Sequence, residues 1–305
     1  MPAGSSCRLP VASSDAPVDG NPADGVTGHG GFVSWPAGVF TVDTSSMGSY
    51  DAVAGKWLPV PPPWVAPNGL SYAYSRGATV HVVSVSNGAD KQFTIPYSVQ
   101  VVAYDTAGVY LEQSIPNSDA PPHGLGVLDP VTGAYSQVFP GGSSAGDSWY
   151  PVEHAGLAYT VWLNTSYGQP PQDGPKPVGN ELFRIQLPAN GGLTSVMSIP
   201  DAALQVVGFD GGDQPVLSAR SFNYYRIYTA ASIKTGGTPS SPAGPPAYEG
   251  LPTAETNPVG PAQGDAHGIW FGSAAGSIWL YSAGNGMRKV ADLSLRSPVI
   301  AGTCR

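Results

Sequence analysis

Apolar and polar positions alternate most clearly from Ser98 to Phe139, SVQVVAYDTAGVYLEQSIPNSDAPPHGLGVLDPVTGAYSQVF. A β-branched run from Val99 to Asp105 stops at Thr106-Ala107-Gly108, and Val109 to Gln113 returns. After a Pro-rich loop, Leu125 to Leu128 reads as a third strand. Asp129-Pro-Val-Thr-Gly133 then makes a hairpin into Ala134 to Phe139. Val, Tyr, Phe and Leu enriched between Gly and Pro punctuation predict these four strands. One four-stranded sheet cannot bury both of its faces, so the unit predicts neighbours of its own kind.

Such neighbours recur along the chain. An apolar pair, a Gly a few residues on and a second apolar run appear at 32–42, 64–74, 101–111 and 150–162, and more loosely at 206–217 and 261–271. Between them stand hairpin signals with Gly at Gly55, Gly88, Gly133, Gly191 and Gly286, where Gly takes the positive φ of a tight turn. Six units of roughly 40–55 residues, each a small antiparallel sheet, predict an all-β six-bladed β-propeller. Seven blades is the alternative if the ends form a split extra blade, and a β-sandwich is the runner-up. The whole chain, 1–305, reads as one domain with an extended N-terminal segment over 1–27. Ser297 to Ala301 resembles the first strand of a unit with nothing after it, and the first unit is short. The C-terminal strand is therefore expected to join the N-terminal blade and close the ring, which would remove exposed edges.

Composition narrows the class. Hydrophobic residues make up 41%, with 15 Tyr, 8 Phe and 7 Trp, enough for a substantial core despite 40 Gly and 32 Pro. No run of about 18 apolar residues predicts a spanning helix. Thirteen Lys and Arg are scattered singly against 21 Asp and Glu, for a net charge of −8, so a phosphate backbone or anionic membrane is a poor partner. The opening Met1-Pro-Ala-Gly-Ser-Ser is too short and too polar for a signal peptide, and reads as a mature start behind an added Met. The two cysteines, Cys7 and Cys304, are either free thiols or a disulfide between the chain ends. The second reading is preferred and implies a secreted, periplasmic or cell-surface location. A loop of that length adds on the order of 5 kcal/mol by chain entropy.

The turns of the VVAYDTAGVYL kind and the DPVTG hairpin resemble extracellular propellers of the broad TolB-like and WD-repeat-like kind. AHGIWFGSAAGSIWLY (266–281) is similar to blades of streptogramin-lyase-like and NHL-type propellers. That resemblance implies a propeller and no particular activity, because such folds host lyases, hydrolases, lectins and scaffolds.

Aligning the units on their turn Gly puts an acid at one place in four of them: Asp105, Glu153, Asp210 and Asp265, with Trp35 and Ala66 in the first two. At the ends of innermost strands these carboxylates would ring the channel mouth and could bind Ca²⁺. Six-bladed lactonases and phosphotriesterases resemble this in holding Ca²⁺ in the tunnel. The plainer reading is that each acid accepts N–H groups of its own turn. Glu153-His154 and Asp265-Ala-His267 set a carboxylate beside an imidazole, which suits a metal ligand or a general base, with His154, His267 and Glu153 as catalytic candidates. His81 reads as an ordinary sheet residue. Trp64, Trp149 and Tyr150 lie on loops entering inner strands on one face of the ring, and the insertions containing Tyr167 and Tyr248 are expected to fold over that face, where aromatics stack on sugars or pack between blades.

Two functions follow. One is an extracytoplasmic propeller binding a small molecule, glycan or protein on one face. The other is a metal-assisted hydrolase or lyase of the lactone, ester or phosphotriester class, using the acid and His site at the channel mouth.

Overall fold

The computed structural model describes residues 6–13, 30–114, 124–139, 148–149, 152–155, 160–164, 166–167, 181–186, 194–199, 202–210, 215–221, 223–229, 244–250, 258–282, 285–293, 295 and 297–305, the stretch from 148 to 196 as backbone alone. The strands in chain order begin with β1 (Cys7–Ser13), β2 (Gly30–Trp35) and β3 (Val39–Asp43), then the short hairpin of β4 (Ser49–Asp51) and β5 (Lys56–Leu58). A three-stranded sheet follows, β6 (Ser71–Arg76), β7 (Thr79–Ser84) and β8 (Asp90–Thr94). The central unit is β9 (Ser98–Asp105), β10 (Gly108–Ser114), β11 (Leu125–Leu128) and β12 (Tyr135–Phe139). Next come β13 (Ser148–Trp149), β14 (Val152–Ala155), β15 (Thr160–Asn164), β16 (Ser166–Tyr167), β17 (Glu181–Gln186) and β18 (Thr194–Ser198). The last are β19 (Ala203–Phe209), β20 (Pro215–Arg220), β21 (Tyr225–Tyr228), β22 (Tyr248–Gly250), β23 (Pro258–Asp265), β24 (Gly268–Ser273), β25 (Ser277–Ser282), β26 (Gly286–Asp292) and β27 (Pro298–Ile300).

The central unit folds as its alternation dictates. β9 to β12 form one antiparallel sheet, and in β9 the alternating Val99, Val101, Ala103 and Asp105 are buried. Asp129 organises the last hairpin: its Oδ1 accepts the Val131 N–H at 2.7 Å and its carbonyl accepts the Gly133 N–H at 2.9 Å. The other described hairpin glycines, Gly55, Gly88 and Gly286, share the positive φ of Gly133.

Blade number departs from expectation. β19 and β23 run parallel and pair at Gly208–Ala262 and Phe209–Gln263. This joins the fifth and sixth repeat units into one eight-stranded sheet, ordered β22-β21-β20-β19-β23-β24-β25-β26. The contact is possible because Gly264 has no side chain; a Cβ there would collide with the backbone of Phe209 and Asp210. Among the described residues the propeller therefore has five blades of three or more strands, not six or seven. The expected ring closure by the C-terminal strand is not supported either. β27 pairs with β1 over three residues only, Val11–Ile300 to Ser13–Pro298. The chain ends are held beyond that by two backbone bonds between Arg8 and Arg305, at 2.7 and 3.2 Å.

The first repeat is also out of phase. The Trp35 to Gly38 turn joins β2 to β3, at the outer edge of its sheet, whereas the Asp105 and Asp265 turns join β9 to β10 and β23 to β24. Sheet-to-sheet packing makes the core in layers. One cluster sets Leu58, Val60, Trp64 and Val80 against Val99, Val109 and Leu128. Another packs Leu9, Val11, Val33 and Trp35 against Trp270, Ile278, Leu280 and Cys304. Each fully buried Leu or Val there contributes about 2 kcal/mol. β3 forms an outer edge, with Val39 and Val42 each 58% exposed. Among the described residues no helix is long and apolar enough to cross a membrane.

The disulfide is present: Cys7 and Cys304, 297 residues apart, are bonded with Cα atoms 5.5 Å apart. Replacing both with Ser is expected to lower the denaturant midpoint of unfolding by the equivalent of about 5 kcal/mol. A double variant as stable as the parent in a urea titration would show that the non-covalent seam suffices.

Candidate functional site

Three of the four aligned acids have described side chains, and all four positions fall at or near the ends of inner strands: Asp105 closes β9, Glu153 lies in β14, Asp210 follows β19 and Asp265 closes β23. These strands lie side by side, β9 against β14, β14 against β19 and β19 against β23. The side chain of Glu153 lies outside the described residues. Asp105 and Asp265 are built alike. Asp105 Oδ1 accepts the Ala107 N–H at 2.7 Å, and Asp265 Oδ1 accepts the His267 N–H at 2.7 Å. Gly108 and Gly268 follow with φ of 140° and 137°, and a Cβ at either would meet the carbonyl oxygen of the next strand, Leu128 or Tyr281. An aromatic five residues after the acid then turns back to it. Trp270 Nε1–H donates to Asp265 Oδ2 at 2.8 Å, and Tyr110 stands at the matching place after Asp105, where burial raises the carboxyl and the Ala107 N–H and Tyr110 work against it. Burial still wins at Asp105, and its pKa lies above the ordinary value of 3.8. The sequence carries this device as DTAGVY and DAHGIW. The aromatic partner was the part that alignment on the Gly did not single out.

Asp265 does more. Its Oδ2 also accepts the Cys304 N–H at 3.1 Å, and its Oδ1 lies 3.2 Å from His267 Nδ1. The far nitrogen of that imidazole, Nε2, faces Cys7 Sγ at 3.9 Å. The His267 side chain is 4% exposed. Acid, imidazole and disulfide thus form one packed group where the chain ends meet. Among the described residues no three His, Cys, Asp or Glu side chains come together as a metal site.

The remaining candidates are scattered. His81 stands in β7 with Nδ1 2.9 Å from Asp90 Oδ2 and its ring stacked on Tyr74 at 4.5 Å. His154 is in β14 and Trp149 pairs with Ser166 between β13 and β16, both as backbone only. The Tyr167 side chain and all of Tyr150 lie outside the described residues. Trp64 sits in a 3-10 turn, Pro62–Trp64, and is 7% exposed within the largest apolar cluster.

An open cleft of about 430 Å³ lies elsewhere, between the sheet of β1–β3 and the β4–β5 hairpin. Strand alternation creates it. Cys7, Leu9 and Val11 face the last blade, while Arg8 and Pro10, with Phe32 opposite Pro10, face the hairpin. Tyr50 packs edge to face on Phe32 and Trp57, at 5.0 and 5.3 Å between ring centroids, and Phe32 and Trp57 meet tilted at 5.5 Å. The Arg8 guanidinium lies 4.1 Å over the Phe32 ring. Asp43 fixes the opposite end: its Oδ2 accepts Trp57 Nε1–H at 3.0 Å, and its Oδ1 accepts the Ser45 N–H at 2.9 Å and hydroxyl at 2.6 Å. These bonds hold its carboxyl below the usual value, the Ser45 hydroxyl most of all. Lys56 donates to the Val85 carbonyl, and Met47 and Tyr50 complete the wall. Sequence reading missed the cleft because its residues come from five strands and two turns outside the aligned turn positions. The available signal was Lys56 beside Trp57, and Arg8 in an apolar strand, in a chain with only 11% charged residues.

Two outcomes are expected from the paired acids. Asp265→Asn places an amide N–H₂ against donors and should cost about 1–3 kcal/mol in denaturant unfolding. Asp105 behaves oppositely. Because its pKa is raised in the fold, the stability linked to it is full below the unfolded value and is lost as pH rises through the folded one. Asp105→Asn should therefore gain on the parent in melting temperature as pH rises from below 3.8 through the raised folded value. A constant difference across that range would contradict this account.

No protein-family model matches the chain, and no curated protein matches it. The solved structures to which it is similar include two propeller-type proteins. One is apo AztD from Citrobacter koseri, at 11% identity over 96% of each chain with a TM-score of 0.44. The other is a luciferin-regenerating enzyme, at 11% identity over 72% of this chain and 73% of that one with a TM-score of 0.42. Neither likeness carries over a site or a substrate; the β-propeller rests on the strands themselves.

Proposed function

We propose that this chain is a secreted or cell-envelope β-propeller, of the broad TolB-like or streptogramin-lyase-like kind, that binds a small ligand or glycan on one side of the ring. The observation that carries this reading is the open, aromatic-walled cleft at Arg8, Phe32, Tyr50 and Trp57. Its volume of about 430 Å³ falls within the range of small-molecule sites, which combine an apolar wall with a few placed polar groups. The Cys7–Cys304 bond supports a location outside the reducing cytoplasm.

A thermal-shift screen of saccharides, organic acids and aromatic compounds tests the reading, with tryptophan fluorescence as a second readout. A binder should raise the melting temperature by mass action, and Ser45→Phe, which fills the cleft mouth from an exposed position, should abolish the shift. A shift that survives Ser45→Phe would place the site elsewhere. A library that produces none would end the proposal.

A further inference from the structure

We infer that the Arg8 cleft selects a carboxylate on a ring body, as in a uronic-acid sugar; this rests on the cleft being the ligand site. The Phe32 ring face, 4.1 Å from the Arg8 guanidinium carbon, attracts the cation and holds it at the cleft wall. Among the described side chains none accepts a hydrogen bond from that guanidinium, although Arg8 is exposed. Asp43 is near enough to feel its charge, but the donors on its oxygens are the Ser45 N–H, the Ser45 hydroxyl and Trp57 Nε1–H. A planar fork of N–H donors is matched by the two oxygens of a carboxylate.

Charge sharpens the choice. Arg8 and Lys56 against Asp43 leave the cleft locally positive in a chain of net charge −8. The Lys56 ammonium gives one donor to Val85 and keeps two. At the far end Asp43 repels a second carboxylate, and with about four lone-pair sites it retains one to accept from a neutral hydroxyl. The cleft lining thus supplies cations at Arg8 and Lys56, acceptors at Asp43 and Ser45, and an apolar wall at Tyr50 and Met47. A pyranose carrying one carboxylate offers a group to each of the three. A dianion or a wholly apolar ligand does not.

Calorimetric titration of the full, disulfide-bonded chain with a galacturonate disaccharide and its neutral galactose counterpart tests this. The uronate should bind, weaken as salt is raised, and lose about tenfold or more in affinity in Arg8→Ala. Arg8→Lys keeps the charge but not the fork and should fall between. Melting temperature checks that both variants are folded, as expected for an exposed side chain. Equal binding of the neutral sugar, abolished by Ser45→Phe, would overturn the carboxylate class and leave the cleft as the ligand site. Uronate binding unchanged in Arg8→Ala would remove the sugar from the cleft. If neither sugar binds, the class is wrong, and the wider screen with Ser45→Phe separately decides the cleft.

Discussion

The carboxylate of Asp265 is the point on which the meeting of the chain ends depends. A buried carboxylate is costly unless donors surround it. Here they come from three directions: its own turn through the His267 N–H, the next strand through Trp270, and the C-terminal segment through the Cys304 N–H. The disulfide stands against the same group, with Cys7 Sγ facing His267. The covalent link and the hydrogen bonds therefore act at one place. Each side positions the groups the other uses: the bond keeps Cys304 beside Asp265, and Asp265 keeps the backbone of Cys304 in line with it.

Much of the fold was legible because strands and turns are local. Val99 to Asp105 alternates and so becomes β9 with one face buried. DPVTG contains its own hairpin chemistry in Asp129 and Gly133. The terminal cysteines announced their pairing by lying at opposite ends of a chain with no other cysteine. Blade number was not legible in the same way. It turned on two residue pairs between β19 and β23, permitted by the missing side chain of Gly264, and no periodicity encodes a contact of that kind. The first repeat misled for a related reason. WPAG and DTAG look alike as turns, but a turn does not say which pair of strands in a sheet it joins.

The candidate site divides along the same line. The recurring acids were visible, and the structure gives Asp105 and Asp265 turn partners and Asp265 an aromatic one as well. The cleft was invisible because its members share no spacing. Arg8 reaches it through the outward half of β1's alternation, and Asp43 and Trp57 meet there only once β3 and the β4–β5 hairpin are folded. The cleft opens between a sheet and a hairpin, while the repeat pattern reports the turns within sheets.

The parallel junction between β19 and β23 has one more consequence. Blades that touch only through side chains can open one at a time. The eight strands from β19 to β26 share a continuous backbone ladder, so fraying at one of its edges is resisted by the whole. The chain is thus built from unequal cooperative units. Its C-terminal third forms the largest of them, and the segment locked to Cys7 hangs directly from it.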